Sequence, residues 1–190
     1  MVGSSLEQLE EHYDVAITWH SFELHPAGSP PISPQYRERI IAGRPQLLRR
    51  AREQYGVEMN PGPLGANSRP ALELEKYAET QGKSAAFHVA AMRAYWEQAR
   101  DIGDQEVLRE VAEQVGLNTK DFEQILASEA FDGQVSADVE LAHEYGLTGV
   151  PALIFADRYL VMGAQPYPML KQVVERVIEE QKDGSTEEPE

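Results

Sequence analysis

The side chains that most often carry chemistry in proteins are sparse in this sequence. The 190-residue chain contains no cysteine, which removes disulfides, thiolate nucleophiles and thiolate metal ligands. Its histidines, which do not have the spacing of a metal or catalytic cluster, are His12, His20, His25, His88 and His143. Each is expected to have a surface or hydrogen-bonded structural role. The sequence also contains no phosphate-binding glycine loop, metal motif or nucleophile elbow, so we predict no catalytic residue and no metal ligand.

The tripeptide Gly149-Val150-Pro151 is the strongest candidate for a binding element. Proline cannot donate a ladder hydrogen bond, so Pro151 is expected at the first position of a strand or at a sheet edge. A cis peptide bond at this point would expose backbone groups to a ligand. Because only about 5–6% of X-Pro bonds are cis, spacing alone favours an ordinary trans proline that begins a strand.

The surrounding stretch, residues 147–163, predicts a β-hairpin. The nearly continuous apolar run from Val150 to Phe155 is typical of a strand that is covered on both faces. Residues 156–158 are the predicted turn, and residues 159–162 are the returning strand before Gly163 ends the pairing.

The N-terminal part of the chain predicts one helix and one strand. Leu6, Leu9 and Tyr13 form a single apolar stripe at helical spacing. From Val15 to Leu24 apolar residues alternate with others, which predicts a strand. The following residues, 25–31, are rich in proline and glycine and mark a segment boundary.

Residues 34–126 predict helices only. The first, at 36–55, is expected to be split at Gly43 and Pro45. Asn67 or Ser68 is expected to cap the next helix. The remaining predicted helices lie at 85–99, at 104–115 with Asp104 as cap and Gly116 after its end, at 118–126, at 132–145 and at 168–181.

This order of elements predicts an α/β protein with a thioredoxin-like fold that lacks its N-terminal strand and carries an inserted all-helical domain. Residues 1–30 and 131–181 are assigned to the thioredoxin-like domain and residues 31–130 to the inserted domain. Residues 182–190, which include no apolar side chain, are predicted to be a disordered acidic tail.

Composition excludes two classes of partner. The net charge is −15, from 32 acidic and 17 basic residues, so a nucleic-acid-binding surface is not expected. The short basic cluster at 49–52 is interpreted as the solvated face of a helix. No apolar run is long enough to span a membrane, and the N-terminus does not have the pattern of a signal peptide. We therefore expect a cytoplasmic protein.

Short motifs distributed along the chain carry a resemblance to a known family. They are Trp19 with Phe22-Glu23-Leu24, Asn67-Ser68, Ala94-Tyr95-Trp96, Asp101-Ile102-Gly103-Asp104, Gly149-Val150-Pro151 and Gly163-Ala164-Gln165. In this order and spacing they resemble the DsbA family of thiol–disulfide oxidoreductases, specifically its FrnE-like branch. Close relatives of the 2-hydroxychromene-2-carboxylate isomerases belong to the same branch.

The resemblance implies that a β-strand and a Cys-Pro-Trp-Cys-type motif precede the first helix. This sequence begins with residues that resemble those immediately after that motif. A serine replaces the first cysteine in the isomerase relatives, but Ser4 and Ser5 lie too far into the helix to match that position. The chain as written is therefore expected to be redox-inactive. A missing inner strand would leave a gap in the sheet, and we expect a longer N-terminus, a rearrangement, or a partner such as a second copy in a homodimer to fill it.

By the same resemblance, Val150 and Pro151 are the candidate substrate-binding residues, with a cis bond between them. Their backbone would bind a thiol or disulfide peptide or a small thiol, with glutathione as the candidate cofactor. Three functions stay open. The protein is a DsbA/FrnE-like oxidoreductase homologue, a glutathione-dependent isomerase or transferase, or a redox-inactive peptide-binding module.

Overall fold

A computed structural model describes residues 2–24, 26 and 28–184. In these residues the chain forms eight helices and one two-stranded sheet. The helices are α1 (Val2–His12), α2 (Pro34–Tyr55), α3 (Arg69–Thr80), α4 (Ser84–Trp96), α5 (Gln105–Gln114), α6 (Phe122–Leu126), α7 (Glu129–Glu144) and α8 (Tyr167–Gly184), and the strands are β1 (Ala152–Phe155) and β2 (Tyr159–Met162). Six helices therefore lie between α1 and the hairpin, where the sequence predicts the helical block. The predicted acidic tail overlaps α8 up to Gly184, and its remainder, 185–190, lies outside the described residues.

The hairpin confirms the predicted strands and turn. β1 and β2 are antiparallel, with Ala152 opposite Met162 and Phe155 opposite Tyr159. Residues 156–158 connect the strands; Arg158 N donates to the Phe155 carbonyl at 3.0 Å, and the two residues between them, Ala156 and Asp157, have φ of 50° and 54°. Two successive positive φ values characterise the type I′ turn, whose twist matches that of the flanking strands.

The prediction that the first strand is covered on both faces is wrong. None of the four β1 residues is fully buried, and Ile154 is 36% exposed. In the described residues β2 is the only strand that pairs with β1, so one edge and part of one face of β1 have no cover. Side chains of alternate residues lie on opposite faces, and Leu160 and Met162 share the exposed face with Ile154.

The predicted strand at 15–24 is also not formed. These residues keep the alternating burial that the sequence predicts, with Val15, Ile17 and Trp19 less exposed than their neighbours. No described strand pairs with them, however, and the segment is extended backbone without a ladder. An apolar/polar alternation predicts which side of a chain is covered, but a strand also requires a partner for its backbone groups.

Helix α2 is continuous, so the predicted split at Gly43 and Pro45 is wrong. Pro45 lacks the N–H that would bond to the carbonyl of Ile41. Ile41 is 53% exposed, so the missing bond lies on the solvent side of the helix and not in the core.

The other helices are present with shifted ends. Helix α4 ends at Trp96, because the carbonyls of Tyr95 and Trp96 accept bonds from Gly62 N and Asn60 N, both at 2.6 Å. Helix α7 begins at Glu129, three residues earlier than predicted, and α6 begins at Phe122, four residues later. Asp104 caps α5 through a bond from Glu106 N at 2.9 Å, as predicted.

By backbone proximity the chain divides into two compact units. Unit 1 comprises residues 1–18, 50–57 and 147–190, and unit 2 comprises residues 19–49 and 58–146. In unit 1, Leu6 and Leu9 of α1 and Leu170 and Val174 of α8 are buried. Unit 2 contains the main core, whose residues exposed by 2% or less are Leu74, Ala78, Phe87, Ala94, Leu108, Val111, Ala112 and Phe122. The domain boundaries predicted from the sequence, with residues 131–146 in the thioredoxin-like part, stay a prediction.

The core of unit 2 gives a direct test of packing. Phe87 is fully buried, whereas Val89, two residues along the same helix, is 44% exposed. Phe87→Ala is expected to lower the free energy of unfolding by about 3–5 kcal/mol, because it removes apolar contacts and leaves a cavity. Val89→Ala should change it by less than about 0.5 kcal/mol. Urea unfolding followed by circular dichroism measures both, and equal losses would contradict the placement of Phe87 in the core.

The hairpin loop gives a second test. Ala156 has a φ of 50°, a conformation that costs a residue with a Cβ about 1–2 kcal/mol. Ala156→Gly relieves that cost, partly offset by the larger entropy of glycine in the unfolded chain. We expect the free energy of unfolding to rise by about 0.5–1 kcal/mol. Ala42→Gly, inside helix α2, should instead lower it by about 1 kcal/mol, and a thermal scan of both variants should show shifts of opposite sign.

Candidate functional site

The two residues predicted to bind substrate lie immediately before β1. The Val150–Pro151 peptide bond is cis, and the Val150 side chain is 51% exposed. The carbonyl of Pro151 accepts a hydrogen bond from Gly163 N at 2.8 Å. In the described part of the chain, neither the N–H nor the C=O of Val150 forms a backbone hydrogen bond. The main-chain N–H and C=O of Val150, just before β1, are therefore free to bond to a ligand.

The register of the hairpin extends this row of free groups. The bond between Gly163 and Pro151 fixes which residues of β1 direct their backbone groups toward β2. In an antiparallel pair these alternate along the strand, so the groups of Ala152 and Ile154 point to the opposite edge. No strand pairs with that edge in the described part of the chain. Val150, Ala152 and Ile154 together form what we name the open edge of β1.

Side chains at the open edge are apolar. From Leu147 to Phe155 the segment contains no charged residue, and Thr148 carries its only polar side chain. An uncharged, partly exposed edge of this kind can pair with an extended backbone, but it offers no nucleophile and no general acid or base. The open edge can bind and orient a ligand, and it cannot by itself react with one.

The loop after β2 is anchored in the same unit. The carbonyl of Ala164 accepts bonds from the Tyr55 hydroxyl at 2.7 Å and from Arg50 at 3.1 Å. Gly163, which has a φ of +77°, allows the chain to turn at this point. Because Gly163 N also bonds to Pro151, these contacts hold the loop against the start of β1.

A shallow groove on the other side of the hairpin is a second concave surface of unit 1. Its volume is about 570 Å³, and Leu160, Met162, Met169, Val173 and Arg176 are among its lining residues. These side chains belong to β2 and α8, so the groove does not include Val150 or Pro151. Its mixed apolar and polar lining contains no pair of groups with the spacing for acid–base catalysis.

Unit 2 contains a network of charges around Arg69. The guanidinium contacts Glu23 at 2.9 Å, Glu73 at 3.3 Å and Asp132 at 2.5 Å, and it also donates to the Ser136 hydroxyl at 2.7 Å. Burial raises the pKa of Glu73 above its usual range, although Arg69 opposes that shift. Each guanidinium nitrogen of Arg69 donates to at least one acceptor, so this network connects helices α3 and α7 and the segment at 19–24.

Asp138 is the centre of a second network in unit 2. Its carboxylate accepts bonds from His20 at 2.9 Å, Ser21 N at 2.8 Å and Lys76 at 2.6 Å. Burial alone would raise the pKa of Asp138, but the bonds from Lys76, Ser21 and His20 outweigh it and hold the pKa below its usual value. A carboxylate accepts and does not donate, so Nδ1 of His20 carries the hydrogen.

Trp19 and His88 stack face to face. Their ring centroids are 3.9 Å apart with an interplanar angle of 23°, and Nδ1 of His88 lies 3.0 Å from Glu75. Both histidines of unit 2 that adjoin the extended segment are thus held by a carboxylate, His20 by Asp138 and His88 by Glu75. In the described residues no three histidines, aspartates or glutamates converge as metal ligands.

The motif Asn67-Ser68 lies in unit 2, at the start of helix α3. Asn67 accepts a bond from Arg69 N at 3.1 Å and so performs the capping role proposed for it, whereas Ser68 makes no side-chain cap bond. His25 lies outside the described residues. Sequence patterns did not identify Asp138 and Lys76 as partners. Among the ion pairs of these two networks, the pair Arg69 and Glu73 has the i and i+4 spacing that indicates a contact on one helix.

A comparison with known protein families identifies the family of this chain. The model of the DsbA-like thioredoxin domain matches residues 1–175. The chain belongs to the DsbA-like thioredoxin family. This confirms the resemblance predicted from the sequence, and with it the thioredoxin-like fold that carries a helical insertion.

Individual proteins resemble the chain over nearly its whole length. An uncharacterised protein of Bacillus subtilis (strain 168), YwbO, is 25% identical over 182 residues, which are 94% of this chain and 88% of YwbO. A probable DsbA oxidoreductase from Streptomyces coelicolor has a TM-score of 0.78 at 24% identity, covering 92% of this chain and 82% of its own. A 2-hydroxychromene-2-carboxylate isomerase also has a TM-score of 0.78, at 21% identity, covering 96% and 91%. The two solved structures show a shared fold alone.

None of the helices in the described residues is both long and apolar enough to cross a membrane.

Asp138 supplies a pH-dependent test of the polar network. The pKa of Asp138 is lower in the folded chain than in the unfolded chain, where it is about 3.9. Its contribution to stability is therefore fully present at a pH above about 3.9 and is lost as the pH falls through the lower pKa of the folded chain. Asp138→Asn should lower the free energy of unfolding by about 1–3 kcal/mol at pH 7. At a pH of about 3 the loss should be clearly smaller. Urea unfolding at both pH values measures the difference.

Glu7→Gln is the control, since Glu7 is an exposed helical carboxylate on α1 that belongs to neither charge network. It should leave the stability unchanged within about 0.5 kcal/mol. An equal loss for Asp138→Asn at both pH values would show that the ionised carboxylate does not stabilise the fold.

Proposed function

We propose that the protein acts in thiol–disulfide exchange as a DsbA/FrnE-type homologue, and that this chain supplies the substrate-binding surface at Val150 and Pro151. The observation that carries the proposal is the open edge of β1, where the free main chain of Val150, Ala152 and Ile154 adjoins a cis proline in a DsbA-like fold. A cytoplasmic location, expected from the sequence, is part of this proposal.

The open edge suits an extended peptide. A peptide strand that pairs with an exposed sheet edge gains main-chain hydrogen bonds that do not depend on its sequence. Ile154, an exposed apolar residue, lies on the open edge itself, and its side chain would contact a side chain of the bound peptide. A disulfide-containing segment bound in this way would be held by its backbone next to Val150.

The chemical step requires a group that these residues do not contain. Exchange begins when a thiolate attacks one sulfur of a disulfide, forms a mixed disulfide and releases the other sulfur as a thiolate. The 190 residues contain no cysteine, so the attacking thiolate must come from a cysteine outside them. The division of roles is therefore binding by this chain and attack by a thiol supplied to it.

Insulin reduction with dithiothreitol as the electron source tests this proposal. The 190-residue chain alone should not accelerate the reaction. A chimera that places the first strand and Cys-x-x-Cys segment of a DsbA oxidoreductase before Met1 should accelerate it. Acceleration by the cysteine-free chain would overturn the need for an external thiolate.

Two substitutions in the chimera then test main-chain recognition at the open edge. Val150→Ala keeps the N–H and should retain activity within about threefold. Val150→Pro removes that donor and should lower kcat/KM by about 5- to 10-fold, since a lost hydrogen bond to substrate is worth about 1–1.5 kcal/mol. Equal activity of the two variants, both folded by circular dichroism, would contradict main-chain binding at Val150.

A glutathione-using isomerase or transferase is the second candidate. What favours it is the TM-score of 0.78 to 2-hydroxychromene-2-carboxylate isomerase, as high as that to the probable DsbA oxidoreductase. Retention of the 190-residue chain on immobilised glutathione, lost in Val150→Pro and kept in Val150→Ala, would favour this function. Binding of an extended apolar peptide without retention on glutathione would instead favour a redox-inactive peptide-binding module.

A further inference from the structure

Helix α2 has a basic, partly apolar face that the rest of the described chain leaves largely uncovered. The helix contains six arginines and two glutamates, a net charge of +4 in a chain whose total is −15. It makes no extensive contact with another helix or strand in the part of the chain that the structure describes. Tyr36, Arg37, Ile40 and Ile41 share one side of its first turns, and Tyr36 and Ile41 are 48% and 53% exposed. We name these four residues the α2 face.

Helix α7 has a face of opposite charge with the same spacing. Glu140, Leu141, Glu144 and Tyr145 are adjacent at the end of the helix, and all four are exposed. Leu141 is 37% exposed and Tyr145 is 47% exposed. We name them the α7 face. Like the α2 face it combines apolar side chains with charge, and like that face it lies in unit 2.

The charges on both faces lack partners in the described structure. Arg37, Glu140 and Glu144 form no ion pair among the described residues, although arginines elsewhere in the chain, such as Arg69 and Arg100, do. Two glutamates at i and i+4 repel each other and destabilise their helix. A cation placed between Glu140 and Glu144 would remove that repulsion, and an arginine on another molecule can supply it.

We propose that the protein forms a two-fold symmetric dimer in which the α2 face of each copy binds the α7 face of the other. In such an isologous dimer each contact occurs twice, because the same two surfaces meet at both symmetry-related places. The apolar residues Ile41, Leu141 and Tyr145 form the buried centre of each contact. The charged residues Arg37, Glu140 and Glu144 surround it and determine which surfaces meet.

Charge complementarity is the argument for a second copy as the occupant. Helix α7 contains five acidic residues and no lysine or arginine, so another copy presents an acidic helix to the basic α2. Both complementary faces lie on this chain, and no other protein is needed to pair them. An anionic membrane would attract α2 but would repel the α7 face, and it would leave Leu141 and Tyr145 uncovered.

Sedimentation velocity of the full chain from about 1 to 100 µM tests the proposal. The wild-type protein should dimerise, and its Kd should rise with sodium chloride as the charges are screened. Ile41→Asp and Leu141→Asp, which lie on different helices, should each raise the Kd by at least about tenfold, since a buried interface residue is replaced by a charge. Val89→Asp, an exposed apolar position on α4, is the control and should leave the Kd unchanged.

Charge reversal tests the pairing itself. Glu140→Lys/Glu144→Lys should raise the Kd by at least about tenfold. Adding Arg37→Glu to that variant should recover at least about threefold, whereas Arg37→Glu alone should weaken the dimer. Failure of the combined variant to recover would overturn the pairing of the two faces.

Other results of these experiments would overturn the proposed dimer. A monomer at all concentrations overturns the proposal, and so does a dimer that neither Ile41→Asp nor Leu141→Asp weakens. A dimer that dissociates only on Ile154→Asp would assign self-association to the open edge of β1. Binding of a monomer to phosphatidylserine vesicles, lost in Ile41→Asp, would make α2 a membrane-binding helix. None of these results depends on redox activity, so the dimer and the proposed function can fail separately.

Discussion

The structure depends on one constraint, which is that an extended chain cannot satisfy its own backbone hydrogen bonds. A helix closes its N–H and C=O groups internally, whereas a strand requires a neighbour. In the described chain β1 has such a neighbour on one side only, and residues 15–24 have none. The same requirement accounts for the short sheet, for the exposed face of β1 and for the free main chain of Val150. The candidate site and the unpaired edge of β1 are therefore the same feature.

Side chains hold part of the extended segment where a ladder does not. Ser21 N donates to Asp138, Glu23 contacts Arg69, and Trp19 stacks on His88. These contacts fasten residues 19–23 to three helices of unit 2. They satisfy specific groups rather than every backbone position, so they fix the course of the segment without making it a strand. A buried charge network of this kind determines geometry more than it adds stability, because desolvation offsets much of the attraction.

Local patterns were sufficient for most of the fold. Apolar periodicity located the helices, the run from Val150 to Phe155 located the hairpin, and Asp104 and Gly116 marked the ends of α5. The errors have physical causes outside the local sequence. Alternation at 15–24 carried no information about a partner strand, and the exposure of Ile41 that makes Pro45 tolerable in α2 is a tertiary property. Asp138 and Lys76 lie 62 residues apart in the sequence, so no local spacing could have paired them.

In the proposed function, ligand binding at the open edge of β1 and thiol–disulfide exchange require different groups. Main-chain recognition at the open edge of β1 needs a free strand edge and a proline that begins it, and both are present without any reactive side chain nearby. Thiol–disulfide exchange needs in addition a thiolate positioned in line with the bound sulfur, and no position in these residues can supply one. A change that alters backbone availability at Val150 would thus affect every ligand that pairs with the edge. A change in the supplied thiol would affect only the reaction. Under the proposed function, the open edge of β1 determines which molecules bind, and the supplied thiol determines whether they react.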